Sequence, residues 1–271
     1  MLKKFRMDDA RTAPTLLESS LPLRKATKAE KRANQLHYQE ITGSLNHLAV
    51  YSRPDIAFAV SKLSQFNSDP TETHLKAARH VLRYLKGTAD YSIIYGGGGL
   101  EIHGYADADW GSDKDDRKST TGYVFTINNG PVSWTSHKQS STAVSTMGAE
   151  YMALSDAARE AIAHIHLYDD LRDLYALKNS PPLLLSDSQS ALALTGTVSN
   201  YPRSKHIDIR YHFIRDVIQK GLLTVDYIPT TEQPADILTK ALGLCLHHSC
   251  IQRLRLNLTA VTAPNTTPST F

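Results

Sequence analysis

The sequence predicts an α/β fold, in which a mixed five-stranded sheet is flanked by helices and preceded by a small helical unit. Two observations predict it. Apolar residues up to about position 90 recur at three- and four-residue steps, the spacing of a helix face. From residue 93 on, three β-rich segments are followed by a long amphipathic segment and then by short strands alternating with helices. With 271 residues, 41% of them apolar, the chain can bury a substantial core.

Charge is distributed unevenly along the chain. The net charge is only +3, so no global field points to a polyanionic partner. Residues 1–37 nevertheless carry nine basic against four acidic residues, and residues 200–220 carry five against two. Basic segments occur both on ordinary solvated surfaces and at polyanion contacts, and both interpretations stay open.

The cysteines and the N-terminus bear on the compartment. Two cysteines, Cys245 and Cys250, favour a reducing compartment over a disulfide scaffold. The N-terminus has no apolar leader segment, and no stretch approaches eighteen apolar residues. We therefore expect a protein that is neither secreted nor held in a membrane.

The pattern divides the chain into four parts. Residues 1–36 are basic and irregular, residues 37–92 form the helical unit, residues 93–243 form the sheet domain, and residues 244–271 are expected to be a largely disordered tail. Within the helical unit, Pro54 interrupts one apolar pattern and opens a second helix.

The elements of the sheet domain follow in order. We expect a strand over residues 91–95, a glycine turn and a strand over residues 102–110. The "NNG" turn then joins two β-rich runs into a hairpin. A long helix carries one apolar stripe, and "PLLLSD" is a short buried strand. Two further helices, a strand in "LLTVDYIP" and a last helix in "TTEQPADILTKAL" complete the domain. The predicted stripe consists of Met147, Tyr151, Leu154, Ala158, Ile162, Ile165 and Tyr168.

Two carboxylates share one face of the strand over residues 102–110. Because side chains alternate along a strand, Asp107 and Asp109 point the same way and repel each other unless water or a cation lies between them. A solvated edge strand is the plain alternative. A calcium loop is excluded, because Ser112 replaces the required glycine at its sixth position and Lys118 replaces the acid at its twelfth.

Three more acids stand at the ends of elements. Glu150 lies near the start of the long helix, beside its apolar stripe, where it is either a surface side chain or a site residue. Asp187 ends a buried strand, the place where open sheets build their sites, although it is also an ordinary helix N-cap. Asp236 opens the last helix, where the helix dipole favours a carboxylate in any case.

Long motifs resemble a known family. "YADADWGSDKDDRKSTTGYVFTINNGPVSWTSHKQSSTAVSTMGAEYMALSDAARE" and "KHIDIRYHFIRDVIQKGLLTVDYIPTTEQPADILTKAL" resemble the ribonuclease H (RNase H) domain of copia-type (Pseudoviridae) retrotransposon Pol polyproteins. Upstream, "YQEITGSLNHLAVYSRPDIAFAVSKLSQF" resembles the segment between the reverse-transcriptase palm and that domain. The resemblance implies an RNase H-like sheet over residues 93–243 and a thumb or connection remnant before it.

The resemblance also implies a site and its cofactors. Asp107, Glu150, Asp187 and Asp236 match the four carboxylates that hold two Mg²⁺ ions, or Mn²⁺, in the family, with Asp107 bridging both ions. Hard oxygen ligands suit these ions, and a metal pair serves phosphodiester hydrolysis. Asp109 would add to the local field. Asp113, Asp115 and Asp116 fall in the following turn, where we expect them to be solvated.

The implied substrate is an RNA–DNA hybrid, read through 2′-hydroxyls in its wide minor groove. The further implied partner is the rest of the Pol polyprotein with its palm, in a cytoplasmic virus-like particle or the nucleus. The alternatives for the predicted contact residues are core for the tryptophan and ordinary surface for the basic side chains. The predicted nucleic-acid contacts are Trp134, Lys138, Gln139, Arg203, Lys205 and Arg210.

The chain departs from the family pattern at Gly148, where a second Glu is usual, and this glycine weakens the helix start beside Glu150. No reverse-transcriptase active site is expected, because "LYDD" at 167–170 lies inside a helix. The sequence thus predicts a ribonuclease H-type hydrolase. Two alternatives stay open: an inactive relic that keeps the fold and its nucleic-acid binding, and a protein-interaction remnant that uses residues 38–90.

Overall fold

A computed structural model of the chain describes residues 1–18, 21, 23–175, 180–196 and 205–256. Five strands and seven α-helices are found in these ranges. The helical unit contains α1 Gln35–Tyr51, α2 Ala57–Ser64 and α3 Glu72–Gly87. The elements that follow are β1 His103–Asp109, β2 Thr120–Ile127, β3 Gly130–Lys138, α4 Thr146–Tyr175, β4 Leu183–Ser186, α5 Gln189–Gly196, α6 Lys205–Gln219, β5 Thr224–Tyr227 and α7 Leu244–Arg253.

The strands form one mixed sheet in the order β3-β2-β1-β4-β5. β1, β2 and β3 pair antiparallel, while β4 is parallel to both β1 and β5. The hairpin between β2 and β3 turns at Asn128 and Asn129, both of which have positive φ, the conformation that such two-residue turns require. The predicted fold class, a mixed five-stranded sheet flanked by helices and preceded by a helical unit, is confirmed.

Helices cover both faces of this sheet. Alternation along β2 shows the division, because Val124 packs with the helical unit whereas its neighbour Phe125 packs with α4. We call these two sides the helical-unit face and the α4 face. The predicted apolar stripe of α4 contacts the sheet: Tyr151, Leu154 and Ala158 are fully buried on the α4 face.

The helical-unit face is built from capped, interrupted helices. The Asn34 side chain accepts a hydrogen bond from the His37 backbone N–H at the start of α1, and Thr71 caps α3 in the same way. Pro54 separates α1 from α2, as the sequence predicts. The core of this face also includes Ile237 and Leu238 from the C-terminal part of the chain, so the predicted helical unit and sheet domain share one hydrophobic core.

Three predicted elements are wrong. Residues 91–95 form no strand; their backbone instead bonds to residues 255 and 256. The expected last helix consists of short 3-10 helices, Thr230–Glu232 and Pro234–Leu238. The tail predicted from residue 244 begins with α7, whose Cys250 and Ile251 are buried in the core of the helical-unit face. Residues 257–271 of that tail lie outside the described residues.

None of the helices in the described ranges is both long enough and apolar enough to span a lipid bilayer.

Candidate metal centre

Three of the four predicted acids meet at one point. Asp107, Glu150 and Asp187 each offer a carboxylate oxygen, and these oxygens lie within 4.8 Å of one another. Asp107 and Glu150 are buried, and Asp187 is half-buried. Carboxylates this close repel strongly unless protons or cations lie among them.

Each acid is brought there by a different element. Asp107 lies near the carboxyl end of β1, and Asp187 directly follows β4, the parallel neighbour of β1. Glu150 lies in the first turns of α4 and accepts a hydrogen bond from the Ala108 backbone N–H. The glycine at 148 does not displace it, because the Ser145 hydroxyl accepts a hydrogen bond from the Gly148 N–H and caps the helix start.

Asp236 reaches the centre from the helical-unit face. It lies in the 3-10 helix Pro234–Leu238, which packs across β2. Gly122, the β2 partner of Asp107, makes this approach possible: a Cβ there would lie 2.7 Å from side-chain atoms of both Leu238 and Thr239. Asp236 is thus brought near Asp107, although its carboxylate is not within the 4.8 Å group.

Two residues that the sequence analysis missed join Asp107 to Asp236. The Lys240 ammonium lies 3.0 Å from Asp236 Oδ1 and 3.4 Å from Asp107 Oδ2. The Thr239 hydroxyl donates a hydrogen bond to Asp107 Oδ2. The spacing of "DILTK" was an available signal, because residues four apart on a helical turn are neighbours and Asp–Lys pairs form there.

The pKa values show how strongly burial and the neighbouring carboxylates disfavour the charged form of these acids. Burial, together with Asp107 and Asp187, raises the pKa of Glu150 to about 9, against an ordinary value of 4.5. Burial and Asp107 raise the pKa of Asp236 to about 7, although Lys240 opposes the shift. Without a metal ion, a proton on Glu150 and the ammonium of Lys240 therefore relieve the repulsion among the acids.

The donor set fits a divalent cation. Glu150 is only 6% exposed, and its Oε2 atom has no hydrogen-bond partner, which is costly for a buried polar atom. Carboxylate oxygens are the ligands that Mg²⁺ and Mn²⁺ prefer. The cluster is therefore compatible with a divalent metal ion that would take up this orphaned oxygen.

Of the three acids in the turn after β1, Asp113 is buried, whereas Asp115 and Asp116 are exposed. The Asp113 carboxylate forms ion pairs with Lys62 of α2 at 2.6 Å and with Lys138 of β3 at 3.0 Å. Asp115 accepts hydrogen bonds from the Lys25 backbone N–H, and Asp116 pairs with Lys138. The prediction that these acids are solvated is wrong for Asp113, because the helical unit covers the turn and supplies a cation.

The predicted nucleic-acid contacts do not form one surface. Trp134 donates a hydrogen bond from Nε1 to the Ala49 backbone oxygen of α1 and packs on the helical-unit face. Gln139 is buried, with Nε2 donating to Thr121 and to the Ala149 backbone. Neither side chain is free to reach a nucleic acid in this structure.

The basic candidates are better placed. Lys138 and Arg210 line one open groove of about 440 Å³ between β3, α4 and α6. Arg210 pairs with Asp156 at 2.8 Å, and Lys138 with Asp113 and Asp116. Arg203 lies outside the described residues, and Lys205 begins α6 with no described side chain.

Two solved structures align with about half of this chain at low identity. LC11-RNase H1, solved in complex with an RNA/DNA hybrid, aligns with 51% of this chain and 94% of its own, with 19% identity and a TM-score of 0.35. RNase H1 from Halobacterium salinarum aligns over the same share of this chain, with 21% identity and a TM-score of 0.35. No family model matches the sequence.

Relatives in sequence are closer. The retrovirus-related Pol polyproteins from transposon TNT 1-94 of Nicotiana tabacum and transposon RE1 of Arabidopsis thaliana are 39% and 40% identical over 245 and 233 residues. These alignments cover 89% and 86% of this chain but only 18% and 15% of those polyproteins. Secreted RxLR effector protein 161 of Plasmopara viticola is 48% identical over 126 residues, 46% of this chain and 89% of that protein. The chain spans less than a fifth of the length of the two Pol polyproteins named above. It belongs to the family of copia-type retrotransposon Pol polyproteins, and it contains an RNase H-like domain.

Proposed function

We propose that this chain hydrolyses the RNA strand of RNA–DNA hybrids with two divalent metal ions, Mg²⁺ or Mn²⁺. The observation that carries the proposal is the convergence of Asp107, Glu150 and Asp187 to within 4.8 Å around an unpartnered buried oxygen. A purely structural cluster would satisfy that oxygen with a protein donor.

The roles of the residues follow from their positions. Asp107, Glu150 and Asp187 would hold one ion, and Asp107 with Asp236 would hold the other. When bound, such an ion pair activates a water molecule and stabilises the departing 3′ oxygen of a phosphodiester. The Thr239 hydroxyl fixes one oxygen of Asp107, the acid common to both ions.

The proposed substrate rests on the charge beside the site and on the relatives in sequence. Lys138 and Arg210 in the groove beside α4 supply positive charge for a phosphate backbone, although acids partly neutralise both. We propose the hybrid as the substrate because the relatives in sequence are transposon Pol polyproteins. The remaining Pol segments, including the palm, are the proposed protein partners.

Cleavage of an end-labelled RNA–DNA hybrid by the purified chain tests the proposal. We expect cutting of the RNA strand with Mg²⁺ and none with EDTA or in an Asp107→Asn variant whose circular dichroism matches the wild type. A folded wild-type chain that binds the hybrid but leaves it intact would overturn the proposal and establish the relic instead.

A further inference from the structure

We propose that Lys240 is a tethered cation of the carboxylate centre: its ammonium holds Asp107 and Asp236 together and competes with a divalent ion for that pair. The proposal rests on the proposed function, because it concerns the second of the two metal positions. It makes Lys240 a positioning residue that touches two acids and sets how readily the second ion binds.

The Lys240 ammonium lies between Asp107 and Asp236. It lies 3.0 Å from Asp236 Oδ1 and 3.4 Å from Asp107 Oδ2, so it occupies the space between two acids that the metal proposal assigns to one ion. Asp107 is almost fully buried, and the lysine side chain is itself two-thirds buried. An ion pair so shielded from water is much stronger than a pair on an exposed surface.

The ammonium leaves one oxygen of Asp236 without a hydrogen bond. Asp236 Oδ1 is buried and has no hydrogen bond of acceptable geometry, even though the ammonium is 3.0 Å away. The positive charge of Lys240 thus offsets the negative charge of Asp236, but the lysine makes no hydrogen bond to this oxygen. A cation with several oxygen ligands would satisfy the same atom better, as Mg²⁺ does with octahedral coordination.

The two sides of Asp107 differ in whether a basic side chain pairs with the acids there. On the side of Glu150 and Asp187, no ion pair with a basic residue is found within the described part of the chain, and Glu150 Oε2 is unpartnered. A first ion can enter there without displacing a side chain. On the side of Asp236, a second ion must move an ammonium that already neutralises the pair.

Lysine suits this exchange. Its ammonium is a compact charge on a flexible four-carbon stem, and a side chain that is one-third exposed can swing out to solvent. One divalent ion enters and one ammonium leaves, with no change in covalent structure. The centre then stays intact without metal and fills completely only when the ion supply, or a substrate phosphate that shares the ion, favours the exchange.

Mn²⁺ binding, followed by electron paramagnetic resonance on the full chain, tests the proposal without relying on cleavage. We expect the wild type to bind one Mn²⁺ tightly and a second more weakly. Lys240→Met should tighten the second binding step by about tenfold or more, the scale of one shielded unit charge. Lys240→Arg should leave that step near its wild-type affinity.

Thermal unfolding supplies the second readout. In EDTA, Lys240→Met should unfold at a lower temperature than the wild type, because Asp107 and Asp236 then repel without a counter-charge. Saturating Mn²⁺ should remove most of that difference. Lys62→Met is the matched control, since it also removes one lysine charge nearby but pairs with Asp113 and touches neither acid; its second Mn²⁺ affinity should stay within about twofold of the wild type.

The outcomes separate this proposal from the function on which it rests. If the wild type binds Mn²⁺ and Lys240→Met leaves the second affinity unchanged, the tethered-cation proposal is overturned and the proposed function stands. A wild type that binds no Mn²⁺ overturns both. Equal tightening in Lys62→Met would also overturn it, because the effect would then be one of net charge.

Discussion

The two faces of the sheet hold their helices by different means. On the α4 face, Phe125, Tyr151 and Leu184 are fully buried in an apolar core, and the Asp156–Arg210 ion pair beside it is less buried than the Arg53–Asp55 pair of the helical-unit face. On the helical-unit face, a large apolar core surrounds charged and polar groups that are buried with their partners. Arg53 forms two hydrogen bonds to Asp55, which also accepts one from the Tyr84 hydroxyl.

The carboxylate centre lies where these two kinds of packing meet. Glu150 comes from α4, whereas Asp236 comes from a segment whose Ile237 and Leu238 belong to the core of the helical-unit face. Asp107 stands on β1 between them. Residues 1–92 are therefore part of the frame of the site, because their core holds the segment that carries Asp236, one of the four predicted acids.

The largest effect should come from Asp187, the acid that follows β4. Asp187→Asn keeps the size of the side chain and removes its charge, so we expect hybrid cleavage to fall by about a thousandfold or more. The unfolding temperature in EDTA should stay the same or rise, because the variant removes charge repulsion from the cluster without opening a cavity. Wild-type cleavage by this variant would refute the assignment of Asp187 as a metal ligand.

Breaking the buried ion pair of the helical-unit face should have the next largest effect. Arg53→Met leaves the fully buried Asp55 without its counter-charge, which typically costs about 3–5 kcal/mol of unfolding free energy. Arg210→Met is the matched change beside the α4 face; Asp156 there keeps Arg159 and His137 as partners, so a smaller loss is expected. Urea titration measures both, and equal losses would contradict the comparison.

Mild acid should weaken the helical-unit face in a defined window. Burial lowers the pKa of His247 from 6.5 to about 4, and the groups that face it are Tyr84, Asp55, Arg53 and His248. Between these values the unfolded chain binds a proton that the folded chain does not, so stability is complete above pH 6.5 and falls as the pH approaches 4. The shift corresponds to about 3 kcal/mol.

The difference in the free energy of unfolding between the wild type and His247→Asn, measured from pH 7.5 to 4.5, isolates this contribution, because the raised pKa values of Glu150 and Asp236 act in the opposite sense in both chains. We expect the advantage of the wild type over His247→Asn to shrink as the pH falls from 6.5 towards 4. His164→Asn, on the α4 face, is the control, because burial also lowers the pKa of that histidine. A difference between wild type and His247→Asn that stays constant over this range would mean that His247 does not carry the acid sensitivity.

A smaller but more selective effect should follow from two glycines of the sheet. Gly122→Ala places a Cβ 2.7 Å from Leu238 and Thr239 on the helical-unit face, whereas Gly104→Ala meets Phe125 and Leu184 on the α4 face. Each should cost about 1–3 kcal/mol of stability. Only Gly122→Ala should also lower cleavage measured well below the unfolding temperature, because it pushes Asp236 away from Asp107.

Sequence reasoning went furthest where a pattern is local. The alternation of β1, the stripe of α4 and the order of the elements predicted the sheet and the helices that flank it, but not that the helical unit covers one of its faces. The positions of Asp107, Glu150 and Asp187 came from the resemblance and not from spacing, because each acid also has an ordinary structural explanation. Their convergence in space supports the assignment of roles, which stays a prediction.

The rest depends on contacts between distant segments. The burial of Asp113 requires Lys62, fifty-one residues earlier, and the position of Trp134 requires Ala49. No periodicity records such pairs. The helix α7 was missed because it has only ten residues, and its buried Cys250 and Ile251 find their partners only in the core of the helical-unit face.

The most direct test of whether both faces of the sheet contribute acids to the carboxylate centre is cleavage of a labelled RNA–DNA hybrid in Mg²⁺. Asp236→Ala is compared with the wild type and with Asp187→Asn. We expect that loss of the acid held by the helical-unit face lowers the rate by at least about a hundredfold, with the chain still folded and the hybrid still bound. Cleavage at the wild-type rate by Asp236→Ala would show that the helical-unit face contributes no ligand to the reaction and that the proposed four-acid site is wrong.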